Sequence, residues 1–144
     1  MDARRDRAVR FSMRYVIDAR TLLHVVTHGV VVNAAHQLVA PTMIRSQALA
    51  LLLEAVRTDE MSETEALGLH ERLTELKMRL LGDRVSRRTA WKIAREHGWA
   101  TTFDAEYLAV CGLQADALVT VDETLAALAS GIVPVAPVEA LSNA

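Results

Sequence analysis

Two short apolar runs in this chain stop in the same way. Tyr15-Val16-Ile17 ends at Asp18, and Ala117-Leu118-Val119-Thr120-Val121 ends at Asp122. Neither run alternates polar with apolar residues, so neither suits a strand with one wet face. Each reads as a strand buried on both sides, the habit of parallel sheets covered by helices. The segments around them have helical character. Residues 19–27 predict a helix closed by Gly29. Residues 30–36 read as loop. Gln37 to Ala40 predicts a second strand stopped by Pro41. Pro41-Thr42 opens a helix to about Arg57, with apolar residues at 44, 48, 51, 52 and 55 on one face. Ser62 with Glu65 is a capping box for a helix to about Leu76. Met78 to Leu81 predicts a third strand. Residues 84–97 predict a basic amphipathic helix, with Trp91 and Ile93 in its apolar part and Gly98 as its stop. A further helix starts near Thr102 with Asp104 and runs to Cys111-Gly112. Another covers about 123–129; Gly131 breaks it, and Ile132 to Val135 predicts the last strand. The order β-α-β-α-α-β-α-α-β-α-β is that of an α/β protein with a parallel sheet.

At 144 residues the chain suffices for one domain with its own core. That domain is expected over 13–142, behind a polar extension at 1–12, with Met13 as an alternative start. Hydrophobic residues make up 51% and the net charge is −2, which excludes a disordered chain and a uniformly basic nucleic-acid binder. The single Cys111 excludes an internal disulfide and a cysteine-rich metal site. With no identifiable histidine partner, it reads as a small buried apolar residue. The N-terminus is charged from Asp2 and is not followed by a signal-like apolar run. The run at 48–56 is too short to span a bilayer. These features predict a cytoplasmic protein without membrane attachment.

The near-zero charge conceals a strong asymmetry. Residues 1–20 hold six arginines against three aspartates, and residues 72–95 hold eight basic against two acidic residues. After Arg95 there is no Lys or Arg, only seven acids. A basic stripe beside an acidic cluster suits metal-assisted phosphate chemistry, and equally suits two solvated faces.

In open α/β sheets, ligands bind outside the carboxyl ends of the strands, where the strand order reverses. Asp18 and Asp122 both lie at such ends and converge if their strands are neighbours, and Asp104, at a helix start, is a candidate to reach the same rim. Three carboxylates in one crevice repel one another and need a cation, for which hard oxygen ligands favour Mg²⁺ or Mn²⁺. Each aspartate taken singly also suits the N-cap of the helix that follows it.

On these residues the chain resembles PIN-domain proteins, and among them the VapC-type toxins of bacterial toxin–antitoxin pairs. The resemblance spans about residues 14–141. It rests on YVIDARTLL at the first acidic motif, on LVAPTMIRSQALALLLEAV and on VPVAPVEAL. Its strongest part is TTFDAEYLAVCGLQADALVTVDETLAAL, with an Asp-Ala-x-Tyr helix start at 104–107 and a strand ending at Asp122. It implies a three-layer α/β fold with a five-stranded parallel sheet in the order 3-2-1-4-5. It implies a Mg²⁺- or Mn²⁺-dependent endoribonuclease in which Asp18, Asp104 and Asp122 hold the metal, Thr120 supports them and water is the nucleophile. The implied partners are an RNA substrate of the tRNA or rRNA class, a small cognate antitoxin and a second copy of the chain.

The chain departs from that family at one site position. Where the family has a glutamate early in the helix after the second strand, this chain has Gln47. A neutral amide lowers the site's negative charge and raises the alternative of a catalytically weakened RNA- or protein-binding module. Asp83 offers a substitute carboxylate, or simply a turn or cap residue in Gly-Asp-Arg. Arg20 is placed to pair with the carboxylates or to hold an RNA phosphate. Arg84, Arg87 and Arg88 on the basic helix are further candidates for phosphate contacts. A phosphatase with Asp18 as nucleophile would want a second acid two residues on, and Arg20 stands there. His24 and His28 have the i, i+4 spacing of a metal pair but no third ligand. Trp91 and Trp99 read as core or interface anchors.

Overall fold

The structure is a computed structural model that describes residues 11–144; the first ten residues of the expected polar extension lie outside the described residues. Five parallel strands form one sheet in the order β3-β2-β1-β4-β5. They are β1 (Arg14–Ile17), β2 (Gln37–Pro41), β3 (Arg79–Leu81), β4 (Ala117–Val119) and β5 (Val135–Ala136). The helices are α1 (Ala19–His28), α2 (Ile44–Arg57), α3 (Glu63–Glu75), α4 (Arg84–His97), α5 (Phe103–Gln114) and α6 (Glu123–Ala129), followed by a 3₁₀ turn at Val138–Leu141. This is the α/β architecture and the strand order expected from the sequence.

The chain winds from β1 outward to β2 and β3, crosses back to β4, and continues outward to β5. Right-handed crossovers then put α1, α2 and α3 on one face of the sheet and α4, α5 and α6 on the other. The helix contacts agree. α1, α2 and α3 touch one another, while α5 lies across β2, β1 and β4 with α4 packed on it. The central strands are apolar because both of their faces are covered. Val16, Ile17, Val39, Leu118 and Val119 are at most 1% exposed, and Leu108 and Cys111 of α5 are as deeply buried.

Local chemistry sets the element ends. Gly29 and Gly98 close α1 and α4 in left-handed conformations, with φ of 62° and 68°, which glycine adopts without a side-chain clash. Ser62 caps α3 by accepting the Glu65 N–H at 3.1 Å, and its hydroxyl donates to the Glu65 carboxylate. Three expectations are corrected. α2 begins at Ile44 rather than at Pro41-Thr42, because Pro41 still pairs with Leu81 in the sheet and the Thr42 N–H donates to the Leu81 carbonyl. β4 ends at Val119, which leaves Thr120 and Val121 to turn toward Asp122. The last strand is Val135–Ala136, not 132–135: the N–H groups of Ile132 and Val133 both donate to the Ala129 carbonyl and so complete the end of α6.

Leu108→Ala removes a side chain that is 0% exposed between α5 and the sheet. It is expected to cost about 3 kcal/mol of unfolding free energy in urea melts. Leu113→Ala, at a position on the same helix that is 43% exposed, is expected to stay within about 0.5 kcal/mol of the parent.

Candidate active site

The reversal of strand order falls between β1 and β4, which pair in register from Tyr15↔Ala117 to Ile17↔Val119. The next residue of each strand is therefore Asp18 and Thr120, side by side at the carboxyl edge. Asp122 follows two residues later, and α5 brings Asp104 to the same edge from its first turn. A crevice of about 330 Å³ opens there, and its polar lining consists of Asp18, Arg20, Gln47, Asp104, Tyr107 and Asp122. Residues from distant parts of the chain thus share one wall.

The three aspartates are held differently. Asp18 sits at the N-cap of α1, but its side chain makes no cap hydrogen bond. It accepts instead from the hydroxyl of Thr21, which is itself wholly buried. That hydroxyl also accepts the Val121 N–H at 3.0 Å, so one side chain ties the end of β1 to the turn that leaves β4. Asp122 caps α6 conventionally, accepting from the N–H groups of Thr124 and Leu125 at 2.9 and 3.3 Å. Its second oxygen lies 3.7 Å from Arg20 Nε, and its own N–H donates to the Thr120 hydroxyl. Asp104 stands at the exposed lip. Helix capping thus accounts for part of Asp122 and for none of Asp18.

Charge accumulates in this crevice. Burial raises the Asp18 carboxyl above its ordinary range, hydrogen bonding from Thr21 and Thr120 offsets part of that, and the Asp122 charge adds to it. Partial desolvation raises Asp104 likewise, reinforced first by Asp122 and then by Asp18. Arg20 is the cation on the crevice wall, and it is mostly exposed.

Gln47 projects from α2 into the crevice, and its amide oxygen accepts the Tyr107 hydroxyl at 2.6 Å. Tyr107 is 2% exposed. Desolvation, followed by the charge of Asp18, pushes its phenol well above the usual range, so it remains a proton donor to Gln47. Sequence reasoning misses Thr21 and Tyr107 as site residues. The available signals are Thr21 at i+3 from Asp18 and Tyr107 within the Asp-Ala-x-Tyr motif.

The remaining candidates lie elsewhere. Asp83 does not line the crevice; it caps α4 by accepting the Ser86 N–H at 2.8 Å, which holds its carboxyl below the ordinary range. Arg84, Arg87 and Arg88 lie exposed along α4, and none of them lines the crevice. Trp91 is 64% exposed, which corrects its assignment to the apolar part of α4. Trp99 packs partly buried against the core as expected, and Cys111 is buried, its thiol pushed up to about 12 by desolvation.

The donors around the crevice are carboxylates, an amide and a hydroxyl, a hard-oxygen set suited in chemistry to Mg²⁺ or Mn²⁺. Among the described residues no three His, Cys, Asp or Glu side chains are drawn together as a ligand cage. The carboxylates instead face the crevice from three separate elements. No helix among the described residues is long and apolar enough to cross a membrane.

No protein-family model matches the chain, and no curated protein matches it. Among solved structures, the chain is similar to the crystal structure of PAE2754 from Pyrobaculum aerophilum. The TM-score is 0.64 at 23% identity, covering 89% of this chain and 92% of that one. At that identity the likeness concerns the fold.

Two substitutions are expected to move stability in opposite directions. Thr21→Val keeps the shape but leaves the Val121 N–H and the Asp18 carboxylate without their shared partner, at a cost of about 1–3 kcal/mol, whereas Thr21→Ser retains most of the stability. Asp104→Asn removes one of three repelling charges and is expected to raise the thermal midpoint. The pH dependence follows the same sign. Asp18 and Asp104 ionise at lower pH in the unfolded chain than in the folded one. Stability therefore falls as pH rises from the ordinary carboxylate range through their raised folded values. Asp104→Asn should flatten that decline in thermal melts run across about pH 3–8, a window that spans it.

Proposed function

We propose that this protein is a Mg²⁺- or Mn²⁺-dependent endoribonuclease of the type its sequence resembles, the VapC-like toxins with a PIN domain. The observation that carries the reading is the convergence of Asp18, Asp104 and Asp122 on one crevice at the point where the strand order reverses. Asp18, Asp104 and Asp122 would hold the ion. When bound, it would offset their repulsion and supply Lewis-acid activation of water for hydrolysis of a phosphodiester.

The chain's own groups have separable parts in this reading. Thr21 donates to Asp18, and hydrogen bonding from Thr21 and Thr120 offsets part of the upward shift that burial imposes on its carboxyl. Asp122 stays put because two backbone N–H groups of α6 hold one of its oxygens. Arg20 is free to exchange its contact with Asp122 for a non-bridging phosphate oxygen, since that contact is long and exposed. Tyr107 orients Gln47, whose amide N–H groups can donate to a phosphate or to a water at the reacting centre. An antitoxin and a second copy of the chain remain the partners this reading implies, and exposed Leu49, Leu53 and Leu67 on α2 and α3 offer apolar area for such contacts.

The Gln47–Tyr107 hydrogen bond favours a second reading. As an amide Gln47 contributes no negative charge, and its one oxygen already accepts from Tyr107, so the protein would bind RNA or protein through a weakened site. RNA cleavage in Mn²⁺ separates the two. The first reading expects cleavage by the parent chain, reduced at least about 100-fold by Asp18→Asn and by Asp122→Asn, the scale seen when electrostatic stabilisation of the transition state is removed. The second expects no cleavage by the parent chain and a gain with Gln47→Glu. Absence of cleavage from both proteins overturns the nuclease assignment.

A further inference from the structure

The exposed side of α4 presents one pattern that the crevice does not use. Arg84, Arg87, Arg88, Trp91, Lys92 and Arg95 follow the spacing i, i+3, i+4, i+7, i+8, i+11, which is a single helical face. All six are exposed. The opposite face, with Ser86, Ala90 and Ala94, is buried against the rest of the fold. The stripe thus carries five cations around one indole, over about 17 Å of helix. Glu96 is the one acid in the helix, and it lies 3.9 Å from Lys92.

Trp91 is the largest side chain of the stripe and is 64% exposed. Open grooves flank it on two sides. One is lined by Arg88, Thr89 and Lys92. The other runs from Arg87 and Ala90 to Thr102 and Glu106. Thr102 is the N-cap of α5 and Glu106 lies in its first turn, so the second groove lies between α4 and the start of α5.

We infer that this face of α4 binds single-stranded RNA, with the cations on backbone phosphates and Trp91 as a stacking platform for one base. That the single strand is RNA rests on the reading of the crevice as an RNA-cleaving site. Charge complementarity favours a polyanion, because five clustered cations can displace the counterions condensed on its phosphates. The accessible indole selects an unpaired base over a duplex, because stacking needs a free π-face. An acidic protein would meet the charge but not the accessible grooves on both sides of one ring.

The test uses the full chain and a fluorescein-labelled oligouridine. Binding is followed by anisotropy as a function of salt, and separately by tryptophan fluorescence. Trp91→Ala is expected to weaken binding about tenfold and to abolish the quenching of tryptophan emission. Arg87→Ala combined with Arg88→Ala should lower the salt slope by about 1.4, from about 0.7 per phosphate contact on a single strand. Arg57→Ala and Arg72→Ala, on α2 and α3, should leave binding unchanged. Because the altered side chains are exposed, thermal midpoints should hold and report that each variant is folded. Equal binding by the parent, Trp91→Ala and the double arginine variant overturns the inference. So does displacement of the RNA by poly-glutamate at equal charge concentration, which would mark an acidic-protein surface. The two readings fail separately. A parent chain that does not cleave RNA, yet binds it with these dependences, keeps this inference and loses the nuclease assignment. Cleavage and binding unaffected by the α4 variants do the reverse.

Discussion

One hydroxyl carries an unusual share of this architecture. Thr21 donates to Asp18 and accepts from the Val121 N–H, and it does so from a wholly buried position. β1 and β4 meet where the chain reverses its direction across the sheet, and no tight turn joins them; the connection runs through most of the molecule. The register Ile17↔Val119 aligns the strands, but beyond that pair the sheet ends and the backbone groups of residues 120 and 121 need partners. Thr21 supplies one, and the same hydroxyl holds the Asp18 carboxylate against the first turn of α1 at the edge of the crevice. Fold closure and site geometry therefore depend on the same side chain.

That closure comes with an electrostatic burden. Asp18 is 5% exposed and Asp122 is within its influence, while Asp104 faces both. A carboxylate in such surroundings is held ionised only by hydrogen bonds and neighbouring positive charge. Thr21 and Thr120 serve Asp18, the N-terminus of α6 serves Asp122, and Arg20 is a long, exposed partner at best. Protein groups compensate Asp104 least. A site that concentrates negative charge at the mouth of a crevice, on a scaffold that would be more stable without it, is the pattern of function opposing stability.

Much of this is readable without the structure. The apolar runs at 15–17 and 117–121 announce strands covered on both faces, and the Asp that ends each run announces the rim. The strand order comes with the family resemblance, since alternation alone leaves the order of five strands open. What the sequence cannot carry are the contacts across the reversal. Thr21 and Tyr107 look like ordinary helical residues until folding brings Thr21 against Val121 and Tyr107 against Gln47, 100 and 60 positions away. Helix periodicity also misjudges Trp91. Its bulk argues for burial, but the face it shares with Arg87, Arg88 and Lys92 decides its exposure, because α4 buries its small residues against α5. The shift of β5 has a similar cause: Ile132 and Val133 have strand-like side chains, but their N–H groups are engaged at the end of α6.

An amide at Gln47, where the family the chain resembles has a glutamate, fits this balance of charges. A fourth acid lining the crevice would add repulsion to Asp18 and Asp104, both already driven above their ordinary range. It would also face the Tyr107 hydroxyl, which donates to the side chain at this position. A glutamate there would accept that proton as readily as the amide does, so the tyrosine does not by itself select glutamine. What distinguishes the amide is the face it turns to the crevice: two N–H donors where a glutamate would present a second oxygen. Under the proposed reading Gln47 would offer these donors to an anion, alongside Arg20. A phosphate approaching this crevice would meet a donor on the α2 side and the carboxylates on the opposite strand ends. That polarity is what a phosphodiester needs if it is to be held in one orientation.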